Sequence, residues 1–115
     1  MSTNQLKIPK KNKGSYEKLE QVLGCKWSVS VLLTVQKDIK RPGAIEKNIE
    51  GISTKVLTER LRKLTEFGLL EKQMFPEIPP RTEYTLTEAG HAVVEIIIKI
   101  QGLDVQLEKL KRNSH

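Results

Sequence analysis

The strongest constraint on the fold is the spacing of helix-breaking residues in the middle of the chain. Pro42 suits the first turn of a helix, where its missing N–H costs no hydrogen bond. Gly51 interrupts the helical pattern, and Ser53, a favoured N-cap residue, begins a second pattern that Gly68 closes. Two helices joined by a three-residue turn are typical of a helix-turn-helix, although an ordinary hairpin in a helical bundle has the same outline. The two predicted helices are residues 43–49 and 53–67.

The second of these helices has one apolar and one polar face. At about 100° per residue, Leu57, Leu61 and Leu64 fall within a narrow arc that we expect to be buried. The opposite side carries residue types that read bases in a DNA groove, because Lys and Arg donate to guanine and Glu accepts from cytosine. A solvated surface is the alternative, with Arg62 paired to Glu66. The candidates for base contacts are Lys55, Thr58, Glu59 and Arg62, and those for phosphate contacts at the helix start are Ser53 and Thr54.

A proline-rich loop separates two strand-like segments that follow this helix and predict a β-hairpin. Pro79 and Pro80 fix backbone angles, so we expect the loop to hold Arg81 near its tip with little entropy to lose on binding. A hairpin directly after a groove-reading helix is a wing, and Arg81 is its predicted contact to the DNA backbone or minor groove. The alternative for Arg81 is a salt bridge to Glu77 or Glu83.

The last part of the chain predicts a long helical segment capped by Thr87. Its apolar residues recur at alternating steps of three and four, as in a coiled-coil seam, and a second apolar stripe lies beside them. Two apolar faces favour homodimerisation, because a two-fold dimer presents two reading helices to a palindromic site. A single helix folded onto its own core is the alternative, and Gly102 is a point where the helix could bend or split. The predicted dimer residues are Val93, Ile96, Ile100, Leu103, Leu107 and Leu110.

The net charge of +6 is concentrated at the amino end. Four lysines and no acid lie within residues 1–13, which leaves +2 for the rest of the chain. We expect this stretch to be a flexible basic arm, either a solvated tail or an arm that follows phosphates. Bulk charge is therefore weak evidence for nucleic-acid binding, and the hypothesis depends on where the charges are placed.

Composition and motifs argue against several other classes of protein. A chain of 115 residues is one domain, and no apolar run reaches the roughly 18 residues of a membrane span. With Cys25 alone no internal disulfide can form, which fits a cytoplasmic location. His91 and His115 lack metal-ligand spacing, and no glycine-rich phosphate loop is present. We therefore expect no enzyme, no metal and no cofactor.

Three segments share their order and spacing with one family of proteins. Residues 24–27 read GCKW and resemble the Gly-Gly-Lys-Trp at the start of that family's second helix. Residues 51–64 read GISTKVLTERLRKL, similar to its recognition helix, and residues 79–87 read PPRTEYTLT, similar to its wing. The family is the HxlR-type winged helix-turn-helix transcriptional regulators of bacteria and archaea, which have a MarR-like fold. The resemblance covers residues 14 to about 110.

The resemblance implies a dimeric transcription factor that binds operator DNA and responds to a chemical signal, hence to a small-molecule effector of unknown identity. It places the recognition helix in the major groove with the wing beside it. The chain departs from the family at residues 14–15, which read Gly-Ser where many members have a Cys-Pro pair and some use that cysteine as a sensor. It departs again at Cys25, which replaces a glycine and which we expect to be a buried, inert thiol. A further departure is Pro42, at a position where the family often has an aromatic residue.

The sequence thus predicts a mainly α fold with a small β-hairpin, namely a winged helix-turn-helix with additional N- and C-terminal dimerisation helices. The predicted function is a sequence-specific, homodimeric, DNA-binding transcriptional regulator whose partner is double-stranded DNA. The alternative is a winged-helix module that binds another protein, but the cations at Lys55, Arg62 and Arg81 favour DNA. The predicted parts are an arm at 1–13 and a domain at 14–112, with the helix-turn-helix at about 43–67, the wing at about 69–87 and the terminal helices at about 88–112.

Overall fold

Five α-helices and one antiparallel β-hairpin make up the part of the chain that the computed structural model describes, residues 15–113. The mainly α fold with a small hairpin is confirmed. The predicted basic arm and residue 14 lie outside the described residues, as does His115. The elements are α1 (Ser15–Leu23), α2 (Lys26–Gln36), α3 (Pro42–Asn48), α4 (Thr54–Glu66), β1 (Leu70–Phe75), β2 (Arg81–Leu86) and α5 (Glu88–Asn113).

The core is aliphatic, as a chain with so few aromatic residues requires. Tyr84 is the one aromatic side chain buried within residues 15–113, and it packs with Leu, Ile and Val from every helix and from β1. Each such side chain contributes about 1.5–3 kcal/mol when it leaves water. The largest fully buried side chains are Leu32, Ile45, Leu57, Leu64 and Leu70.

Helices α3 and α4 form the predicted helix-turn-helix. Pro42 lies in the first turn of α3, and Gly51 adopts φ +88° in the turn that follows, a backbone conformation that a larger residue would strain. The backbone N–H of Val56 donates to the Ser53 hydroxyl at 3.1 Å, so Ser53 is the N-cap of α4, as predicted. The sequence therefore sets where α4 begins and where the turn after α3 lies.

The hairpin is held to the rest of the domain through β2. Its strands pair in register from Leu70 opposite Leu86 to Phe75 opposite Arg81, with residues 76–80 as the connecting loop. The backbone N–H of Tyr84 donates to the Lys40 carbonyl at 2.9 Å, which ties β2 to the segment between α2 and α3. The wing is thus fixed relative to the helix-turn-helix.

Helix α5 is one continuous helix from Glu88 to Asn113, so the prediction of a split at Gly102 is wrong. A glycine inside a helix costs about 1 kcal/mol relative to alanine but keeps its N–H and its hydrogen bond, and so it need not end the helix. At the start of α5, Thr87 caps the helix as predicted, because its hydroxyl oxygen accepts the backbone N–H of Gly90 at 3.0 Å.

Only the first part of α5 packs on the body of the protein. Val93 was predicted to lie in a dimer seam, but it is 5% exposed and belongs to the core of this chain. Val94 and Ile97 share its buried face, and Ile97 was not predicted to do so. Residues 98–113 are all exposed, so the second half of the helix projects from the body. The remaining predicted seam residues, Ile96, Ile100, Leu103, Leu107 and Leu110, are all exposed.

None of the helices within residues 15–113 is long and apolar enough to cross a lipid bilayer.

Gly90 lies where the start of α5 packs on the backbone of Leu69, the residue directly before β1, and we expect Gly90→Ala to destabilise the protein. A Cβ atom at this position would lie 2.1 Å from the backbone carbonyl oxygen of Leu69, so one of the two elements must move. Overpacking of this kind typically lowers the free energy of unfolding by about 1–3 kcal/mol, measurable by urea denaturation.

Gly43→Ala is the matched control, because a Cβ atom at Gly43 has no neighbour within 4 Å. Gly43 lies inside α3, where alanine is favoured over glycine by about 1 kcal/mol, so this variant should be as stable as the native chain or more so. Equal losses in the two variants would show that the Leu69 contact does not matter.

Candidate nucleic-acid interface

The outward face of α4 carries the predicted base-reading residues together. Leu57, Leu61 and Leu64 are buried, which confirms the predicted apolar arc and turns the opposite side of the helix to solvent. The exposed side presents two cations, one acid and one hydroxyl along about two turns of helix. These exposed residues are Lys55, Thr58, Glu59 and Arg62.

The hydroxyl groups at the start of α4 already have hydrogen-bond partners within the chain. The Ser53 hydroxyl oxygen accepts a backbone N–H as the N-cap, which leaves its own hydrogen free to donate. The Thr54 hydroxyl donates to Oε2 of Glu46 at 2.7 Å and joins α4 to α3. The Thr58 hydroxyl donates to the Thr54 carbonyl at 2.8 Å. A ligand at this end of the helix therefore meets one free hydroxyl donor, that of Ser53, and two that must turn.

Four of the charged side chains on α4 form two ion pairs. Nη1 of Arg62 donates to Oε2 of Glu66 at 2.8 Å, which is the alternative that the sequence left open. Glu59 accepts from Nη2 of Arg60 at 2.9 Å, and this hydrogen bond, with the charge of Arg60, lowers the pKa of Glu59. Within residues 15–113 Lys55 has no ion-pair partner, so its ammonium group is available to a ligand.

The structure corrects the expected position of Arg81. The residue was expected to project near the loop tip, but it is the first residue of β2 and its side chain is folded back and 22% exposed. Its guanidinium group is bonded to both Glu77 and Glu83 and lies 3.8 Å from the centre of the Phe75 ring. The physical reason is local, because two carboxylates and an aromatic face lie within reach of the planar cation.

Sequence reasoning missed Arg41, which lies beside the wing. It is the N-cap residue of α3, its side chain is 62% exposed, and its Nε lies 4.0 Å from Oε2 of Glu83. Together with the loop between the strands, Arg41 lines an open groove of about 320 Å³. The only sequence signal was a cation directly before Pro42.

Cys25 was expected to be a buried, inert thiol, and the structure contradicts the expected burial. It is half-buried at the N-cap position of α2, and Nη1 of Arg60 lies 3.7 Å from its sulfur. Burial is the largest single influence on the pKa of Cys25 and raises it, whereas the hydrogen bonds from Ser28 lower it. The backbone of Trp27 and the charge of Arg60 act in the same direction, so the net pKa is lowered.

No group of three or more His, Cys, Asp or Glu side chains within residues 15–113 is placed to hold a metal ion. His91 is exposed on the first turns of α5 and lies far along the chain from the outward face of α4. The chemistry that the described residues can offer at this interface is hydrogen bonding and charge pairing.

These features define a winged helix-turn-helix, and the comparison with known proteins gives the family. The chain belongs to the HxlR-like helix-turn-helix family, whose sequence profile matches residues 22–111. It is 40% identical over 82 residues to sll1512 of Synechocystis, an uncharacterized HTH-type transcriptional regulator, and the match covers 71% of this chain and 61% of that protein. The chain thus spans about three fifths of the length of that relative.

Solved structures show the same fold. A structure from Enterococcus faecalis V583, provisionally assigned to the MarR family of transcriptional regulators, superposes with a TM-score of 0.79 at 28% identity and covers 94% of this chain and 96% of that one. The reduced form of the transcriptional regulator YodB from B. subtilis superposes with a TM-score of 0.70 at 31% identity, covering 84% of this chain and 90% of YodB. The MarR-like winged helix is therefore confirmed.

We expect the Cys25 thiol to ionise at lower pH than an ordinary free cysteine, whose pKa is about 8.5. A lowered pKa means more thiolate at any given pH, so the rate of alkylation by iodoacetamide should reach half its maximum below that value. The rate is measured as a function of pH by mass spectrometry of the intact chain.

Two variants test the cause of this shift. Ser28→Ala removes the hydroxyl that stabilises the thiolate and should raise the pH at which alkylation reaches half its maximal rate. Arg60→Gln should raise this pH by less. Arg60→Lys retains the positive charge and serves as the control. An unchanged value of this pH in Ser28→Ala would contradict the assigned cause.

Proposed function

We propose that this chain is a sequence-specific DNA-binding transcriptional regulator that acts as a homodimer on palindromic operator DNA. The observation that carries the proposal is the exposed polar face of α4, which the buried leucines fix toward solvent beside a wing that is tied to the same body. Membership of a family whose relatives are named HTH-type transcriptional regulators supports the same conclusion. In this proposal α4 enters the major groove and the wing contacts the backbone or the minor groove.

The base contacts are assigned to Lys55, Thr58, Glu59 and Arg62. Lys55 is free to donate, and Arg62 is held by an exposed pair with Glu66 that is worth at most about 1 kcal/mol. A guanine that accepts two hydrogen bonds from Arg62 is favoured over another base by about 1–3 kcal/mol. Guanine can therefore displace Glu66 from Arg62.

The backbone contacts are assigned to Ser53, Thr54 and Arg81. The first two lie at the amino end of α4, where the helix dipole favours an anion and the Ser53 hydroxyl still has a hydrogen to donate. Arg81 reaches a phosphate by giving up one of its two carboxylate partners.

The dimer contact is assigned to the projecting half of α5. Ile100, Leu103, Leu107 and Leu110 expose about half or more of their surface on one side of the exposed second half of α5. Exposed apolar stripes of this size mark protein–protein contacts. Ile96 continues the stripe into an apolar groove of about 310 Å³ between α1 and α5, which a second copy would cover.

Selection from random duplex DNA at near-physiological salt, followed by sequencing, tests the function. We expect enrichment of an inverted repeat whose half-sites are about one helical turn apart, because a two-fold dimer presents two α4 helices. Weak, salt-sensitive retention without an enriched sequence would contradict specific reading and favour the protein-binding module.

The same selection with Arg62→Ala tests the base contacts. We expect a loss of about 1–3 kcal/mol on the preferred site and relaxed preference at one position of each half-site. An equal loss on every sequence would mean that Arg62 contacts only phosphate.

The dimer is tested by Leu107→Glu, which places a charge in the proposed contact. We expect the native chain to have the mass of a dimer, and this variant that of a monomer, in light scattering after size-exclusion chromatography. Val105→Glu is the matched control, because two residues turn the helix by about 200° and place Val105 on the far side. Dissociation by Val105→Glu alone would place the contact on the other stripe.

A further inference from the structure

We infer that Glu77 occupies, in the free protein, the place on Arg81 that a DNA phosphate takes in the complex, and so limits the affinity of the wing for DNA. The inference rests on the proposed function and deepens it, because it identifies an acid of the wing that opposes binding. In the free protein the guanidinium group of Arg81 faces carboxylates of its own chain.

The contact between Glu77 and Arg81 has the geometry of a phosphate contact. Nε of Arg81 donates to Oε1 of Glu77 at 3.2 Å, and Nη2 donates to Oε2 at 2.7 Å. Two parallel N–H donors on two oxygens of one anion is the arrangement that arginine also forms with phosphate. The carboxylate of Glu77 therefore fills the same two donors that a phosphate would use.

Of the two acids on Arg81, Glu77 is the one free to leave. It lies in the loop, is 53% exposed, and within residues 15–113 forms an ion pair with Arg81 alone. Glu83 lies within β2, is 17% exposed, and has Arg41 as a second cationic neighbour. An anion arriving from solvent thus displaces Glu77, while Glu83 remains in place.

The guanidinium group stays in position during this exchange. The Phe75 ring lies against one face of Arg81, and the hydrogen bond to Glu83 holds one nitrogen. The cation is therefore oriented before any phosphate arrives, which reduces the entropy lost on binding.

Glu77 is ionised at neutral pH and is thus a permanent competitor. The hydrogen bond from Arg81 holds the pKa of Glu77 below its ordinary value, and the charges of Arg81 and Arg41 act in the same direction. Once displaced, its carboxylate lies beside the incoming phosphate and repels it. Both effects oppose binding, so removal of this charge should strengthen the complex.

The test measures the affinity of Glu77→Gln for a fluorescein-labelled duplex carrying the selected inverted repeat, at several concentrations of KCl. Loss of an exposed ion pair of this kind corresponds to about a two- to fivefold change in an equilibrium constant. We therefore expect Glu77→Gln to bind the duplex more tightly by that factor. We also expect log K against log salt to become steeper by up to about one unit, because one more protein charge is available to phosphate.

Glu71→Gln is the matched control. Glu71 is an exposed acid of the same hairpin, opposite Thr85 at the end far from the loop. Its substitution by Gln changes the net charge by the same amount as Glu77→Gln. We expect this variant to bind with about the native affinity. In the Arg81→Ala background, Glu77→Gln should have no effect, because the site of competition is gone.

Three results would overturn the inference: unchanged or weaker binding by Glu77→Gln, an equal gain from Glu71→Gln, or a gain that persists in the Arg81→Ala background. Weaker binding would mean that Glu77 positions Arg81 for DNA instead of competing with it. If the native chain binds the duplex and one of these results appears, only the inference fails. If the native chain binds neither the selected duplex nor mixed-sequence DNA, the proposed function fails as well.

Discussion

The burial of Leu57, Leu61 and Leu64 is the contact on which the rest of the interface depends. These three side chains fix the rotation of α4 about its own axis, because any turn of the helix would bring leucines into water and charged groups into the core. The polar face therefore has one orientation relative to the wing. Lys55 on that face has no ion-pair partner within residues 15–113, which leaves its ammonium group available to a ligand.

Most of the fold could be predicted because its signals are local. Ser53, Thr87 and Gly51 act on backbone groups within a few residues, so a single sequence shows where each helix starts and where the turn lies. The point along α5 where the helix leaves the core was harder to predict from the sequence. Val93 and Ile97 lie on the same apolar pattern as the exposed residues beyond them, and only the packing of α5 on the body separates the two groups.

The candidate site was predicted as a set of residues but not as a pattern of contacts. Surface ion pairs differ in energy by a fraction of a kcal/mol, so the sequence could not tell whether Arg81 would face solvent or a carboxylate. Its partners come together only when the loop closes and aligns Phe75 opposite Arg81. The unexpected environment of Cys25 has a similar cause, because Arg60 lies 35 residues further along the chain.

A dimer contact on the projecting half of α5 would make operator binding depend on the concentration of the protein. An isolated helix of about 12–15 residues is marginally stable in water, and residues 98–113 are all exposed. If a second copy covers this segment, as proposed, helix formation and association are coupled, and each protomer orders its partner. Occupancy of a two-fold operator then rises with the square of protomer concentration at low abundance, so small changes in synthesis or degradation act as a signal in themselves.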